Sequence, residues 1–345
     1  MSTLDFSEDV HRRLNPLTGE WILVSPHRSR RPWKGHIDEP ATEHRPSFDP
    51  ACYLCPGNTR AHGEQNPAYT STFVFDNDFA ALKAQAPTDD FDIDGLLVAK
   101  SESGICRVIC FSPRHDLTLA QMEISDLTKI VNLWAHQFAE LGARDDINYV
   151  QIFENKGAMM GCSNMHPHGQ IWAQKTVPDE PAKETIQQLQ HFDRTGKTLL
   201  SDYLKLELER DVRIVHQNAS FVVLVPFWAF WPFETMIVSR RAVPNVTTLT
   251  ENERVDLADA IKHITVRYDN LFKISFPYSA GLHQAPTDGM SHPEWHFHMH
   301  FYPPLLRSAT IRKFKVGYEM LGGGQRDISA ESSASLLKAL PATRY

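Results

Sequence analysis

Apolar positions along this chain alternate between two periods, and the succession is run through twice. YTSTFVFDNDFAAL (69–82) has a β-rich core that runs into Asn77-Asp78, which predicts a strand closed by a turn. RVICFSP (107–113) reads as a short buried strand. Leu127, Ile130, Val131, Trp134, Phe138 and Leu141 then fall at helical spacing and predict an amphipathic helix. INYVQIFENKG (147–157) returns to strand character and leads into GCSNMHPHGQIW (161–172). After a polar, helical connector at 178–210, SFVVLVPF (220–227) and TMIVSRR (235–241) predict strands again. Thr250 with Glu253 makes a capping box that opens a second helix, whose apolar face is Leu257, Ile261, Ile264, Tyr268 and Leu271. FPYSAGLHQAP and WHFHMHFYPP follow, the latter strand-like. Roughly the first 50 residues lack periodicity and predict an ordered, irregular arm, and 83–104 reads as an exposed loop.

The histidines set a register for this recurrence. His166 to His298 and His168 to His300 are both 132 positions, and Ser112 to Ser239, in matching strands, is 127. Chance can match two short motifs, but the shared order of strand, helix and histidine strand favours a duplicated unit. Each half is then α+β, a largely antiparallel sheet with a helix on one side. The expected division is 1–180 and 181–345, packed as one unit.

Composition narrows the classes. The chain has 345 residues, 42% hydrophobic and 22% charged, and a net charge of -7, which argues against non-specific binding to nucleic acid or anionic membranes. The first residues lack the apolar core of a secretory signal, and FVVLVPFWAFWPF is too short to span a bilayer. Five cysteines make a disulfide framework a poor reading, and a reducing cytoplasm is the expected location. Seventeen histidines, several of them clustered, carry more information.

Cys52-Tyr-Leu-Cys55 can offer two thiolates to one metal ion, with His115 and His166 the simplest further ligands. A redox pair and two unrelated cysteines are the other readings, and spacing does not choose between them. If 166–168 is extended, His166 and His168 share a face, with Pro167 fixing the backbone between them. A neutral imidazole there can act as a nucleophile on phosphorus; a hydrogen-bonded structural histidine is the plain alternative. His298 and His300 also share a face, where a metal with help from His283 and a carboxylate competes with a polar strand face. His27, Arg28, Arg30 and Arg31, and later Arg312, Lys313 and Lys315, are basic clusters suited to phosphate or simply solvated.

Taken together, NPLTGEWILVSPHR, CYLC, FDNDFAAL, RVICFSPRH, FENKGAMMGCSNMHPHGQIWA, WPFETM, FPYSAGLHQAP and HFYPPLLRSATIRKFKVGYEM resemble the galactose-1-phosphate uridylyltransferase family of the histidine-triad superfamily, over essentially the whole chain. The resemblance implies duplicated histidine-triad-like halves and ping-pong transfer of UMP from UDP-glucose to galactose 1-phosphate, with His168 as nucleophile. Gln170, in place of the triad's third histidine, would hydrogen-bond the uridylyl intermediate. It implies zinc at Cys52, Cys55, His115 and His166, and iron or a second zinc at Glu184, His283, His298 and His300. Arg28 and Arg31 would meet phosphates or sugar, Asn77 and Asp78 the nucleotide, and Asn155, Cys162 and Ser163 the phosphate pocket. Lys313, Phe314, Val316, Tyr318, Glu319 and Gln325 would reach the sugar in a partner's site, which implies a homodimer. Met165 and His296 depart from the family's usual residues, as does Gly322 to Gly324 before Gln325. A dinucleoside tetraphosphate phosphorylase of the same superfamily, and a zinc-dependent binding protein without catalysis, are the competing classes.

Overall fold

The computed structural model describes residues 4–30, 45–85 and 89–345. In chain order the strands and helices are β1 (His11–Leu14), β2 (Trp21–Val24), β3 (Phe73–Asp76), β4 (Phe91–Ile93), β5 (Leu97–Ala99), β6 (Gly104–Cys110), α1 (Ile124–Gly142), β7 (Tyr149–Lys156) and β8 (His168–Gln174). Then come α2 (Asp179–Thr195), α3 (Leu199–Arg210), β9 (Ile214–Gln217), β10 (Phe221–Leu224), β11 (Thr235–Ser239), α4 (Glu251–Phe272), β12 (Tyr278–His283) and β13 (His298–Tyr302). α5 (Tyr318–Leu321), β14 (Gln325–Arg326) and α6 (Ala330–Ala339) end the chain. The class is α+β, as expected.

Nine strands form one antiparallel sheet in the order β3-β6-β8-β7-β12-β13-β11-β10-β9. Along each strand, alternate residues face opposite sides. Ile109, Val150, Ile152 and Ile171 point to one face, where α1 presents Leu127, Ile130, Val131, Trp134 and Phe138. The α4 side chains Leu257, Ile261, Ile264 and Tyr268 cover the same face further along, against Phe221, Ile237, Ala280 and Phe301. Fully burying each such side chain contributes roughly 1.5–3 kcal/mol, so this shared core ties both halves into one body. The capping box is present: Thr250 Oγ1 accepts from the Glu253 N–H, and the Thr250 N–H donates to Glu253.

The opposite face is covered unequally. Over β9, β10 and β11 it carries a second core, in which Leu17, Ile22, Leu199, Leu200 and Leu204 pack on Ile214, Val222, Met236 and Val238. Over β3 and β6 the described residues place a small cluster of Cys52, Leu54, Cys55, Val108 and Cys110. His168, at the start of β8, is partly exposed.

Three expectations need correction. The N-terminal arm is not irregular throughout: β1 and β2 pair antiparallel around the turn at Asn15–Gly19, and β14 adds parallel to β2. The loop at 83–104 holds the exposed hairpin β4–β5, and its strands are too short and too solvated to show an alternating core. β9 lay unrecognised beyond the helical connector, which itself divides at Gly196, in the left-handed region at φ 68°. All five cysteines are free, and no helix among the described residues is long and apolar enough to cross a membrane.

Candidate functional site

β8 begins at His168, so His166 lies just before the strand and the two rings part company. His166 Nε2 donates to the Ser112 carbonyl at 2.8 Å, which leaves Nδ1 as a lone pair 3.5 Å from Cys55 Sγ. His168 turns back on the chain: its Nδ1 donates to the His166 carbonyl at 2.7 Å. That bond fixes the tautomer and leaves Nε2 as the free lone pair. Burial holds the ring below its ordinary pKa, so it is neutral at pH 7. Gln170 stands one pleat further on the same face, where its Oε1 accepts from Trp172 Nε1 at 3.1 Å. The amide NH2 is thereby left to donate elsewhere.

Asn155 and Cys162 border the cavity beside His168, together with Glu154 and Asn164. Asn155 Oδ1 accepts from Ser279 Oγ at 2.6 Å, and Ser163 is exposed in the turn that precedes His166. Asn77 and Asp78 follow β3: Asn77 Oδ1 accepts from the Phe79 N–H at 2.9 Å, and Asp78 pairs with Arg60 at 3.2 Å. The remaining expected contacts gather elsewhere. Arg28 and Gln325 both donate to Asp327 Oδ1, at 3.2 and 2.7 Å. Lys313 donates to the Gln325 carbonyl at 3.0 Å and pairs with Glu319. Phe314, Val316 and Tyr318, beside them, are each about 60% exposed. None of these seven residues borders the cavity at His168. Arg31 lies outside the described residues.

Two buried clusters have the composition of metal centres. Cys52, Cys55, His115 and His166 bring one ligand atom each within 4.8 Å of the others. His115 Nδ1 is 3.8 Å from Cys55 Sγ. Burial keeps His115 below its usual value and His166 down at about 4, so both rings offer lone pairs. The same burial pushes the Cys55 thiol up to about 11; a dication in the cluster would draw that proton off. Two sulfurs and two imidazole nitrogens suit a tetrahedral ion such as zinc. Glu184, His283, His298 and His300 form the second cluster. Glu184 Oε2, His298 Nε2 and both nitrogens of His300 are buried without a hydrogen-bond partner; one nitrogen of each ring and the carboxylate oxygen are left as donors that an ion would satisfy.

Two residues that no sequence pattern singled out support the first cluster. The Tyr69 hydroxyl lies 3.1 Å from His166 Nε2. Asn164 accepts from the His166 N–H at 2.9 Å and donates to Cys52 Sγ at 3.4 Å. Tyr69 reaches the histidine through tertiary contact; Asn164 is a local neighbour of His166, and its tertiary link is to Cys52.

The halves repeat each other in a different register from the one spacing gave. His296 Nε2 donates to the Ser239 carbonyl at 2.7 Å and His298 Nδ1 to the His296 carbonyl at 2.8 Å. These are the bonds of His166 and His168 again. His296 thus answers to His166, His298 to His168 and His300 to Gln170, an offset of 130 positions and not 132. Gln170 faces Phe153 across the ladder and His300 faces Gly281, so Phe153 answers to Gly281 and Asn155 to His283. Phe153 and Gly281 are also direct partners across β7 and β12, which puts an approximate two-fold axis at the seam.

The fold is a duplicated α+β unit whose antiparallel sheet presents the second imidazole of a His-x-His pair, held by the first one's carbonyl. Residues 2–178 match the model of the galactose-1-phosphate uridyl transferase N-terminal domain, and 184–345 that of the C-terminal domain. The chain belongs to that family. It is 50% identical to the galactose-1-phosphate uridylyltransferase of Kluyveromyces lactis, over 98% of this chain and 95% of that one. The Haemophilus influenzae enzyme is 49% identical, over 98% and 97%. A solved uridylyltransferase structure superposes with a TM-score of 0.76 at 27% identity, covering 95% of this chain and 97% of that one.

Proposed function

We propose that the protein transfers UMP from UDP-glucose to galactose 1-phosphate in galactose metabolism, by a ping-pong route through a uridylyl group on His168. The carrying observation is the bond from His168 Nδ1 to the His166 carbonyl, which fixes the tautomer and leaves Nε2 bare, while burial keeps the ring neutral. Nε2 attacks the α-phosphorus, the bond to the bridging oxygen breaks, and glucose 1-phosphate leaves with that electron pair. The ring gains positive charge but no proton; the Nδ1–H bond to the carbonyl spreads that charge. A phosphate oxygen of galactose 1-phosphate then attacks the same phosphorus, the P–N bond breaks, its pair returns to Nε2, and UDP-galactose departs.

Gln170 donates its free amide hydrogens to the non-bridging oxygens, and being neutral it does not titrate. Asn155, Cys162 and Ser163 border the phosphates, and Asn77 and Asp78 read the nucleotide. The separate grouping of Arg28, Lys313, Glu319 and Gln325 around Asp327 supports a homodimer with shared sites: one subunit supplies the imidazole and its partner supplies this group, together with Phe314, Val316 and Tyr318; Arg31 would meet phosphates or sugar. Cys52, Cys55, His115 and His166 would hold zinc, and Glu184, His283, His298 and His300 iron or zinc, both structural. The metal at the first would pin residues 52–55 to the backbone that aims His168. The expected setting is the cytoplasm.

The test is mass spectrometry of the protein after UDP-glucose without acceptor. An added uridylyl mass should map to His168 and vanish on addition of galactose 1-phosphate. Transfer that proceeds with His168 unmodified, or that survives His168→Ala, would sink the mechanism.

A further inference from the structure

A third group of ligating side chains lies apart from both clusters and shares no residue with them. His216 sits on β9, the open edge of the nine-stranded sheet, and Asp259 and His263 are one turn apart on α4. Residues four apart on a helix share a face. His216 Nε2 is 3.2 Å from Asp259 Oδ2, and His263 Nε2 is 3.4 Å from Asp259 Oδ1. The imidazoles stack, with centroids 3.8 Å apart and planes at 25°, so both Nε2 atoms point the same way. The three ligand atoms lie within 4.8 Å of one another, and all three side chains are half-buried, with a solvent side left open.

Hydrogen bonds from two rings to one carboxylate would explain the proximity alone. One further detail favours an ion, and a second sets the cost of binding it. Asn218 Nδ2 donates to Asp259 Oδ2 at 2.8 Å and to the Asp256 carbonyl at 2.7 Å, the kind of outer support that orients a ligating carboxylate. Metal on His263 Nε2 would move the ring proton to Nδ1, which now faces Arg267 Nη1 at 3.1 Å. Arg267 Nη1 is equally 3.1 Å from the His263 carbonyl, so the guanidinium has an acceptor to fall back on.

We propose that His216, Asp259 and His263 form a surface site for a divalent transition-metal ion, bound by two imidazole nitrogens and one carboxylate oxygen. The nitrogen donors select ions such as Zn2+ or Co2+ over Mg2+ and Ca2+. Three protein ligands leave the outer positions to water. Because the ligands come from β9 and α4, the ion would clip the sheet's edge strand to the helix beneath it. The need to turn Arg267 away makes this site weaker than the two buried ones.

The experiment is a Co2+ titration of untagged protein whose buried clusters are already loaded, read by visible absorption and by equilibrium dialysis. Wild type should take up one further equivalent, and its unfolding temperature should rise with added Zn2+. Asp259→Asn should weaken that equivalent by about tenfold or more. The double variant His216→Gln and His263→Gln should lose it, with uridylyl transfer unchanged. The single variant His216→Gln, confined to the edge strand, covers the case in which the double variant fails to fold. No additional equivalent in wild type at millimolar Co2+ would overturn the proposal, and so would an equal equivalent in the folded variants.

Discussion

Replacing Glu154 with Gln should stabilise the protein, and do so only where the pH is high enough to ionise this side chain in the unfolded chain. Glu154 lies on the inward face of β7 at 7% exposure, and accepts one hydrogen bond, from the Tyr278 hydroxyl at 3.0 Å. Its nearest cation, Lys156, is engaged by Asp269 at 3.0 Å. Burial pushes the carboxyl up from its ordinary 4.5 to about 7, against the pull of Lys156 and Tyr278. Between those two values the native state keeps a proton that the unfolded chain has released. Native protein therefore binds more protons, and this group's contribution to stability falls as pH rises from about 4.5 to about 7, then levels. At 1.36 kcal/mol per pH unit the full penalty is about 3 kcal/mol. Gln cannot ionise, and its Oε1 can still accept from Tyr278. Urea unfolding should find Glu154→Gln more stable than wild type by about 3 kcal/mol near pH 8, shrinking to about 1 kcal/mol near pH 5. The histidines and metal clusters titrate in both proteins, so their terms cancel in the difference. A difference that stays flat with pH, or a variant less stable near pH 8, would refute the reasoning.

Gly169→Ala should disable transfer while leaving a folded protein. A Cβ there would meet Phe111 Cζ at 2.7 Å and the Phe153 carbonyl oxygen at 2.9 Å. The carbonyl is backbone and cannot swing aside, so β7 and β8 must part; the cost is about 1–3 kcal/mol, and His168 and Gln170 on either side are displaced. Thermal unfolding and steady-state kinetics measure the two effects, and unchanged kcat would contradict them. Thr250→Ala removes one bond of the α4 capping box and should cost about 1 kcal/mol in urea unfolding without altering transfer.

The two long helices were legible because their apolar spacing and, for α4, the Thr250/Glu253 pair are local signals. So was the strand that begins at His168. β1, β2 and β9 were not: HRRL and IVHQ are short and half or more polar, and WILV, as apolar as β10, lies in a segment whose Pro, Arg and His residues hide it. Both sets of expected metal ligands come together in the fold. Spacing alone left them undecided, because nothing within C-x-x-C says what lies above it. The duplication was legible and its register was not. Three alternating histidines at 296, 298 and 300 can be laid on the pair at 166 and 168 in two ways, and only the carbonyl each ring bonds decides between them. Tyr69 escaped notice because it meets His166 only through folding, and Asn164 because its bond to Cys52 does the same.

The corrected register bears on the proposed assignment of a nucleophile to one half and of a metal cluster to the other. Around the two-fold axis, Asn155, His168 and Gln170 answer to His283, His298 and His300. The first set has one imidazole between two neutral amides, which bind a divalent transition metal poorly, so the His168 Nε2 lone pair has no ion to serve. In the second set, imidazoles replace both amides, and α2 lowers Glu184 onto them beneath the α2–α3 cover. Four donors then converge where water and substrate are shut out, and an ion that engages them takes up the lone pair that would otherwise attack. Both His168 and His298 have the same tautomer-fixing bond. The aimed imidazole is therefore a property of the scaffold, and its use depends on what stands at positions 155 and 170 and on how far the sheet around it is covered.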